Sequence, residues 1–188
     1  MKAFTGLVVC ALLFGCAADP AKRAGVAQEE AVRLASPSEP LANFGKFELL
    51  PMTFAPEVMA KPEKVEAARA VETAVREQLT PLLDGWRSKA AAGNSRTLSI
   101  QPRMMAVKIT SGGARFWAGA MAGESQINMQ LILTEKETGK LLAQPNVQRT
   151  AGAMAGAWSI GKSDKNLMLY IADITRKYLE DSYRPAAQ

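Results

Sequence analysis

The chain has 188 residues, 22% of them charged, a formal net charge of +5, two cysteines and no histidine. Without histidine it lacks the commonest general base, the Ser-His and Cys-His nucleophile pairs and the principal nitrogen ligand of zinc, copper and non-haem iron. Carboxylate chemistry stays open, but most Asp and Glu sit in helix patterns or turns beside Lys and Arg, so a non-enzymatic protein with no cofactor and no metal is expected. Its basic residues are scattered rather than interleaved with aromatics, which argues against a nucleic-acid partner, and a pI near 9.3 suits anionic lipid headgroups or cell-wall polymers.

Lys2, an apolar run from Phe4 to Phe14 and the small Gly15 before Cys16 lay out a secretory signal over residues 1–15. The run falls well short of the roughly 20 residues a helix needs to cross a bilayer. Leu13-Phe14-Gly15-Cys16 resembles the bacterial lipobox, in which the cysteine is acylated, palmitate among its chains, and the peptide is cut just before it. The alternative is cleavage after Gly15-Cys16-Ala17 or Cys16-Ala17-Ala18, which would release a soluble periplasmic protein. Buried methylenes contribute about 0.8 kcal/mol each, so a doubly acylated Cys16 would anchor the protein stably. Ala17, where aspartate tends to signal inner-membrane retention, points to the periplasmic face of the outer membrane. With Cys10 removed and Cys16 acylated, the mature chain keeps no thiol.

Residues 17–42 are rich in Ala, Pro, Ser and charge and end in Ser36-Pro37-Ser38-Glu39-Pro40. They predict a flexible tether after the lipidated cysteine, over 16–42, with a short helical turn around residues 28–34 and a reach of roughly 25–30 Å. A single globular domain is expected over 43–188.

Phe44, Phe47, Leu49 and Leu50 predict a strand ended by Pro51 and Pro56. Pro62 sits where a first helical position tolerates proline, and Val65, Ala68, Val71, Val75 and Leu79 recur at helical spacing. Pro81 should kink or restart that helix. A second strand is expected over about 96–110, where the apolar parity changes between Ile100 and Met105 and predicts a bulge near Pro102. In the third, Ile127, Met129, Leu131 and Leu133 alternate with Gln126, Asn128, Gln130 and Thr134, giving one dry face and one mostly wet. A turn at Thr138-Gly139 leads to a fourth strand over about 141–149. Leu167, Tyr170, Ile171, Ile174 and Tyr178 stripe a closing helix over about 164–182, with Ser163 as its N-cap. The order β-α-β-β-β-α predicts an α/β fold of the α+β kind, a small mostly antiparallel sheet of about four strands with two main helices on one face.

Three further signals carry possible function. Gly156 to Ser163 fits the phosphate-loop pattern G-x-x-x-x-G-K-[ST]. A nucleotide-hydrolysing domain needs further parallel strands and a magnesium-binding aspartate after that loop, and only one helix follows, so nucleotide is not expected as a partner. Ala118-Gly119-Ala120-Met121-Ala122-Gly123 returns as Ala151-Gly152-Ala153-Met154-Ala155-Gly156, with Trp117 before the first copy and Trp158 after the second. These segments are either loops packing small residue on small residue at one end of the sheet, or a docking or membrane-contacting edge anchored by the tryptophans. The nine methionines are spread along the chain, which suits gap-filling in the core.

Gly112-Gly113-Ala114-Arg115-Phe116, Ala120-Met121-Ala122-Gly123, the alternating strand, the Thr138-Gly139 hairpin into Leu141-Leu142-Ala143, the second Gly-rich segment and the closing helix resemble the bacterial lipoprotein family known as domain of unknown function 4410. The resemblance runs from Ser111 to Tyr183, with Glu135 where aspartate is common. It implies a small α/β lipoprotein domain similar in layout to periplasmic lipoproteins that assist envelope machines, and brings no activity. The sequence therefore predicts an outer-membrane-anchored binding or envelope-assembly module with an envelope protein as partner. Its rivals are a component of an oligomeric pore or secretion assembly and a carrier of lipid or another apolar ligand.

Overall fold

A computed structural model describes residues 20–91, 93–109, 125–151 and 162–183. The signal, Cys16, Trp117, Gly119, Gly123, Gly152, Gly156 and Trp158 lie outside the described residues. The elements are α1 (Pro20–Val32), a 3₁₀ turn (Leu41–Asn43), β1 (Lys46–Leu49), β2 (Thr53–Phe54), α2 (Pro56–Met59), α3 (Pro62–Arg87), β3 (Thr97–Lys108), β4 (Ser125–Glu135), β5 (Leu141–Ala143), β6 (Asn146–Ala151) and α4 (Lys162–Tyr183). The fold is α+β, with a six-stranded mixed sheet.

Alternation makes the centre of that sheet. On β4, Ile127, Met129, Leu131 and Leu133 are wholly buried, while Gln126 is exposed and Asn128, Gln130, Ile132 and Thr134 are partly covered. Ile100, Met104 and Val107 of β3 stand opposite Leu133, Met129 and Ile127 and extend the same dry stripe. Leu79 and Leu83 of α3 and Leu167, Ile171 and Ile174 of α4 join it in one core. Truncating any of these large side chains to alanine costs about 2–5 kcal/mol.

The expected parity change on β3 occurs between Met104 and Ala106, which leaves Met105 as the extra residue. Pro102 itself stays in register opposite Leu131. The carbonyls of Ile100 and Met104 accept from Leu50 and Ala55, so even-numbered residues here face the β1/β2 side. Among the described residues neither β1 nor β2 is in register with Pro102, and its missing N–H loses no ladder bond.

Two expected strands are divided by prolines. The first becomes β1 and β2 around Pro51, both parallel to β3, because the 26-residue α3 carries the chain back along the sheet before β3 begins. The fourth becomes β5 and β6 around Gln144 and Pro145, both antiparallel to β4. Helix α3 runs on through the exposed Pro81 to Arg87 instead of restarting. Helix α4 begins at Lys162, so Ser163 lies inside its first turn rather than capping it.

The flexible tether expected over 16–42 is corrected from Pro20 onward. Ala27 and Ala31, one turn apart on α1, are buried in the core, and α1 packs along α4. Arg23 pairs with Asp173 at 3.2 Å and Glu30 with Arg149 at 3.6 Å. Burial pushes the Asp173 carboxyl up, an effect Arg23 opposes. The Tyr178 hydroxyl donates to the Ala35 carbonyl at 2.9 Å, and Leu41 and Phe44 are fully enclosed. An alanine stripe gives α1 its buried face, and composition hides it because alanines do not stand out as a hydrophobic run.

At one end of the sheet Arg96 gathers the chain. Its guanidinium donates to both Glu39 oxygens at 2.9 and 3.1 Å and to Glu135 at 2.6 Å, and lies 4.4 Å from the centre of the Phe44 ring. The Thr138 hydroxyl donates to the other Glu135 oxygen at 2.6 Å, and Lys140 reaches Glu39 at 3.2 Å. Gly139, at φ +69°, closes the turn with its N–H on the Glu135 carbonyl. At the helix ends, Trp86 stacks on Tyr183 at 4.2 Å and meets the edge of Phe47 at 5.3 Å.

Arg96, with burial opposing and Asn43 and Lys140 assisting, lowers the Glu39 carboxyl from 4.5 to about 2. A depressed acid contributes stability that is complete above its unfolded value and is lost as pH falls through its folded one. The wild-type melting temperature should therefore fall between pH 4.5 and about 2. Glu39→Gln should melt lower at pH 7 and show a flatter profile in that acid window, as thermal scans across pH would reveal.

Candidate functional site

The opposite end of the sheet is where the two Gly-rich segments attach. Ser125 pairs with Ala151, Gln126 with Thr150, and Lys108 with Gln126. The end of β3, the start of β4 and the end of β6 thus lie side by side. The segment carrying Trp117, Gly119 and Gly123 joins β3 to β4, and the one carrying Gly152, Gly156 and Trp158 joins β6 to α4. The structure brings their roots together, while the distance between the tryptophans falls outside the described residues.

Beside these roots runs an open groove of about 450 Å³ between α3, the end of β3 and α4. Ala67, Val107, Ile109 and Met168 form an apolar floor, with Glu63, Lys64 and Lys108 at the rim. Lys64 Nζ donates to the Glu57 carbonyl at 3.4 Å. An apolar floor with charges of both signs around it suits contact with another polypeptide. Nothing local in the sequence signals this groove, because its walls come from three elements far apart in the chain.

The face of the sheet away from α3 and α4 is lined with amides. Gln144 donates to Gln130 at 2.7 Å and Gln130 to Asn146 at 3.3 Å, with Gln126 and Gln148 exposed beside them. The Asn128 side-chain oxygen is buried without a hydrogen-bond partner among the described residues.

Met52, Met104 and Met129 fill the core as expected, Met168 lines the groove, and Met59 is exposed. Among the described residues no three His, Cys, Asp or Glu side chains come together as a metal would need. The phosphate-loop match lies mostly outside the described residues. Its Lys162 and Ser163 open α4, and the strand before it, β6, runs antiparallel to its neighbour β4.

The chain matches the family described as a domain of unknown function (DUF4410) over residues 41–156, and it belongs to that family. The match starts at the 3₁₀ turn, takes in β1 and α3, and stops short of α4, so it lies further towards the N-terminus than the 111–183 expected from the motifs. No curated protein matches the chain. Among solved structures it is similar to a variant PelC dodecamer from Paraburkholderia phytofirmans, at 18% identity over 78% of this chain and 94% of that one, with a TM-score of 0.47. A second PelC dodecamer from the same organism is 16% identical with the same coverage and a TM-score of 0.45. The hypothetical protein CT253 from Chlamydia trachomatis is 11% identical over 73% of this chain and 99% of that one, at 0.36.

A nucleotide site would require parallel strands that this sheet does not offer next to α4. Calorimetric titration of ATP and magnesium into the full chain is expected to give no saturable heat, and Lys162→Ala to leave the melting temperature unchanged. Micromolar binding lost in Lys162→Ala would restore the phosphate loop as a site.

Proposed function

We propose that this protein is a non-enzymatic binding or envelope-assembly module, anchored by acylated Cys16 at the periplasmic face of the outer membrane and offering one end of its sheet to an envelope protein. The pairing of Ser125 with Ala151 carries this reading, because it roots both tryptophan-bearing segments on adjacent strands of a packed sheet. Roots held side by side bring the two points of attachment together before any partner arrives, which lowers the cost of gathering them. The neighbouring groove adds an apolar surface continuous with the same end.

The anchor fits the start of the fold. Helix α1 begins at Pro20, so four peptide steps separate it from Cys16 and span at most about 14 Å. In this reading the domain rides close to the lipid surface instead of standing off on a long tether. Among the described residues no helix is long and apolar enough to cross a membrane, and the acyl chains provide the attachment.

Cys16→Ala is expected to abolish palmitate labelling and move the protein from the membrane to the soluble fraction. Labelling or sedimentation unchanged by the substitution would reject the anchor. For the docking end, Trp117→Ala with Trp158→Ala should weaken association with the partner by more than about 2 kcal/mol, as at interface hot spots, with little change in melting temperature. Normal crosslinking in intact envelopes together with a lowered melting temperature would instead assign both tryptophans to the core.

A further inference from the structure

The sheet protects its edges unevenly. One outward group of β1 and one of the link to β2 are met from α3, where Arg87 Nε donates to the Phe47 carbonyl at 3.2 Å and Glu72 accepts from the Met52 N–H at 2.9 Å. On the other side, Ser38 donates its N–H to the Leu142 carbonyl of β5 at 3.0 Å. Among the described residues, strand β6 has no such cover. Leu131 donates to the Pro145 carbonyl, and the register from there makes Val147 and Arg149 the residues that exchange ladder bonds with β4. The N–H and C=O groups of Asn146, Gln148 and Thr150 consequently face away from β4, and they meet no partner among the described residues.

Natural edges are often guarded by proline or by lysine on the open side of the strand. Asn146, Gln148 and Thr150 are exposed and neutral. Arg149 is the one charge on the strand, and it is turned to the helix side, paired with Glu30 at 3.6 Å and lying 4.6 Å from the Tyr170 ring centre.

We propose that this edge pairs with the same edge of a second copy of the chain, antiparallel about Gln148, joining two sheets into one. The strand is complementary to itself in that arrangement. Gln148 falls opposite Gln148, and Asn146 opposite Thr150, so every outward donor meets an outward acceptor. The side chains at those positions are amides and a hydroxyl, which hydrogen-bond across the pair without charge repulsion. Val147 falls opposite Arg149 of the second copy, which is held to its own helix side by Glu30 at 3.6 Å and by the Tyr170 ring. The amide-lined faces of the two sheets would then form one continuous surface. The inference does not depend on the lipid or on the tryptophan segments.

Sedimentation equilibrium of the full chain in detergent tests it, with wild type, Gln148→Pro and Gln148→Lys compared. Proline removes an N–H that β4 does not use, and lysine sets two like charges opposite each other at an exposed position. Wild type should form a dimer, and each variant should raise its dissociation constant roughly tenfold or more. Circular dichroism should show both variants folded, and if proline unfolds the chain the lysine variant decides. A wild type monomeric up to about 100 µM, an edge occupied by a different protein's strand, or association unchanged by a folded Gln148→Lys would overturn the proposal.

Discussion

Everything in this fold depends on the register of β3 against β4. A strand has a side-chain period of two, so a slip of one residue would turn Ile127, Met129, Leu131 and Leu133 to the outer face and bring the amides into the core. The energetic gap between the two registers is large, since each buried aliphatic side chain contributes about 1.5–3 kcal/mol. The bulge at Met105 then keeps Val107 on the dry face after Met104, where an unbroken strand would point it outward. At the far end Arg96, Glu135 and Glu39 hold the same register by charge-assisted hydrogen bonds.

Much of this was legible because it is local. The alternation over residues 126–134 is the strand that forms, and Leu167, Ile171, Ile174 and Tyr178 are buried on α4 as their helical spacing predicts. What stayed hidden depends on choices between distant partners. Nothing in Phe47 and Leu49 says that β1 will pair with β3, or that it will run parallel, until α3 is known to return the chain. The Arg96 cluster joins residues 39, 96 and 135, a combination without a sequence signature. Alanines 27 and 31 likewise pack because α4 passes beside them, a fact of tertiary structure.

The candidate site divides along the same line. The Gly-rich repeats and Cys16 could be picked out as patterns, but the common root of the repeats needed the observed pairing of β4 with β6. The groove needed three elements to meet. Conversely, the phosphate-loop pattern was fully present in the letters and has no support from topology, since the strand before it is antiparallel to its neighbour. A motif specifies chemistry only when its backbone context comes with it.

The two ends of the sheet are built differently. At the Arg96 end, turn, strand and N-terminal segment are tied by short charge-assisted bonds, and Gly139 allows the tight closure between β4 and β5. At the other end two long connections leave from adjacent strands, beside a surface whose apolar floor no described side chain fills. A rigid sheet with its long connections gathered at one end is the usual way a fold separates stability from recognition, because the loops can vary without disturbing the register that supports them. Helix α1 extends that logic to the N-terminus, since Arg23 and Glu30 bind it to α4 and β6 and thereby set where an anchor at Cys16 would pull on the sheet.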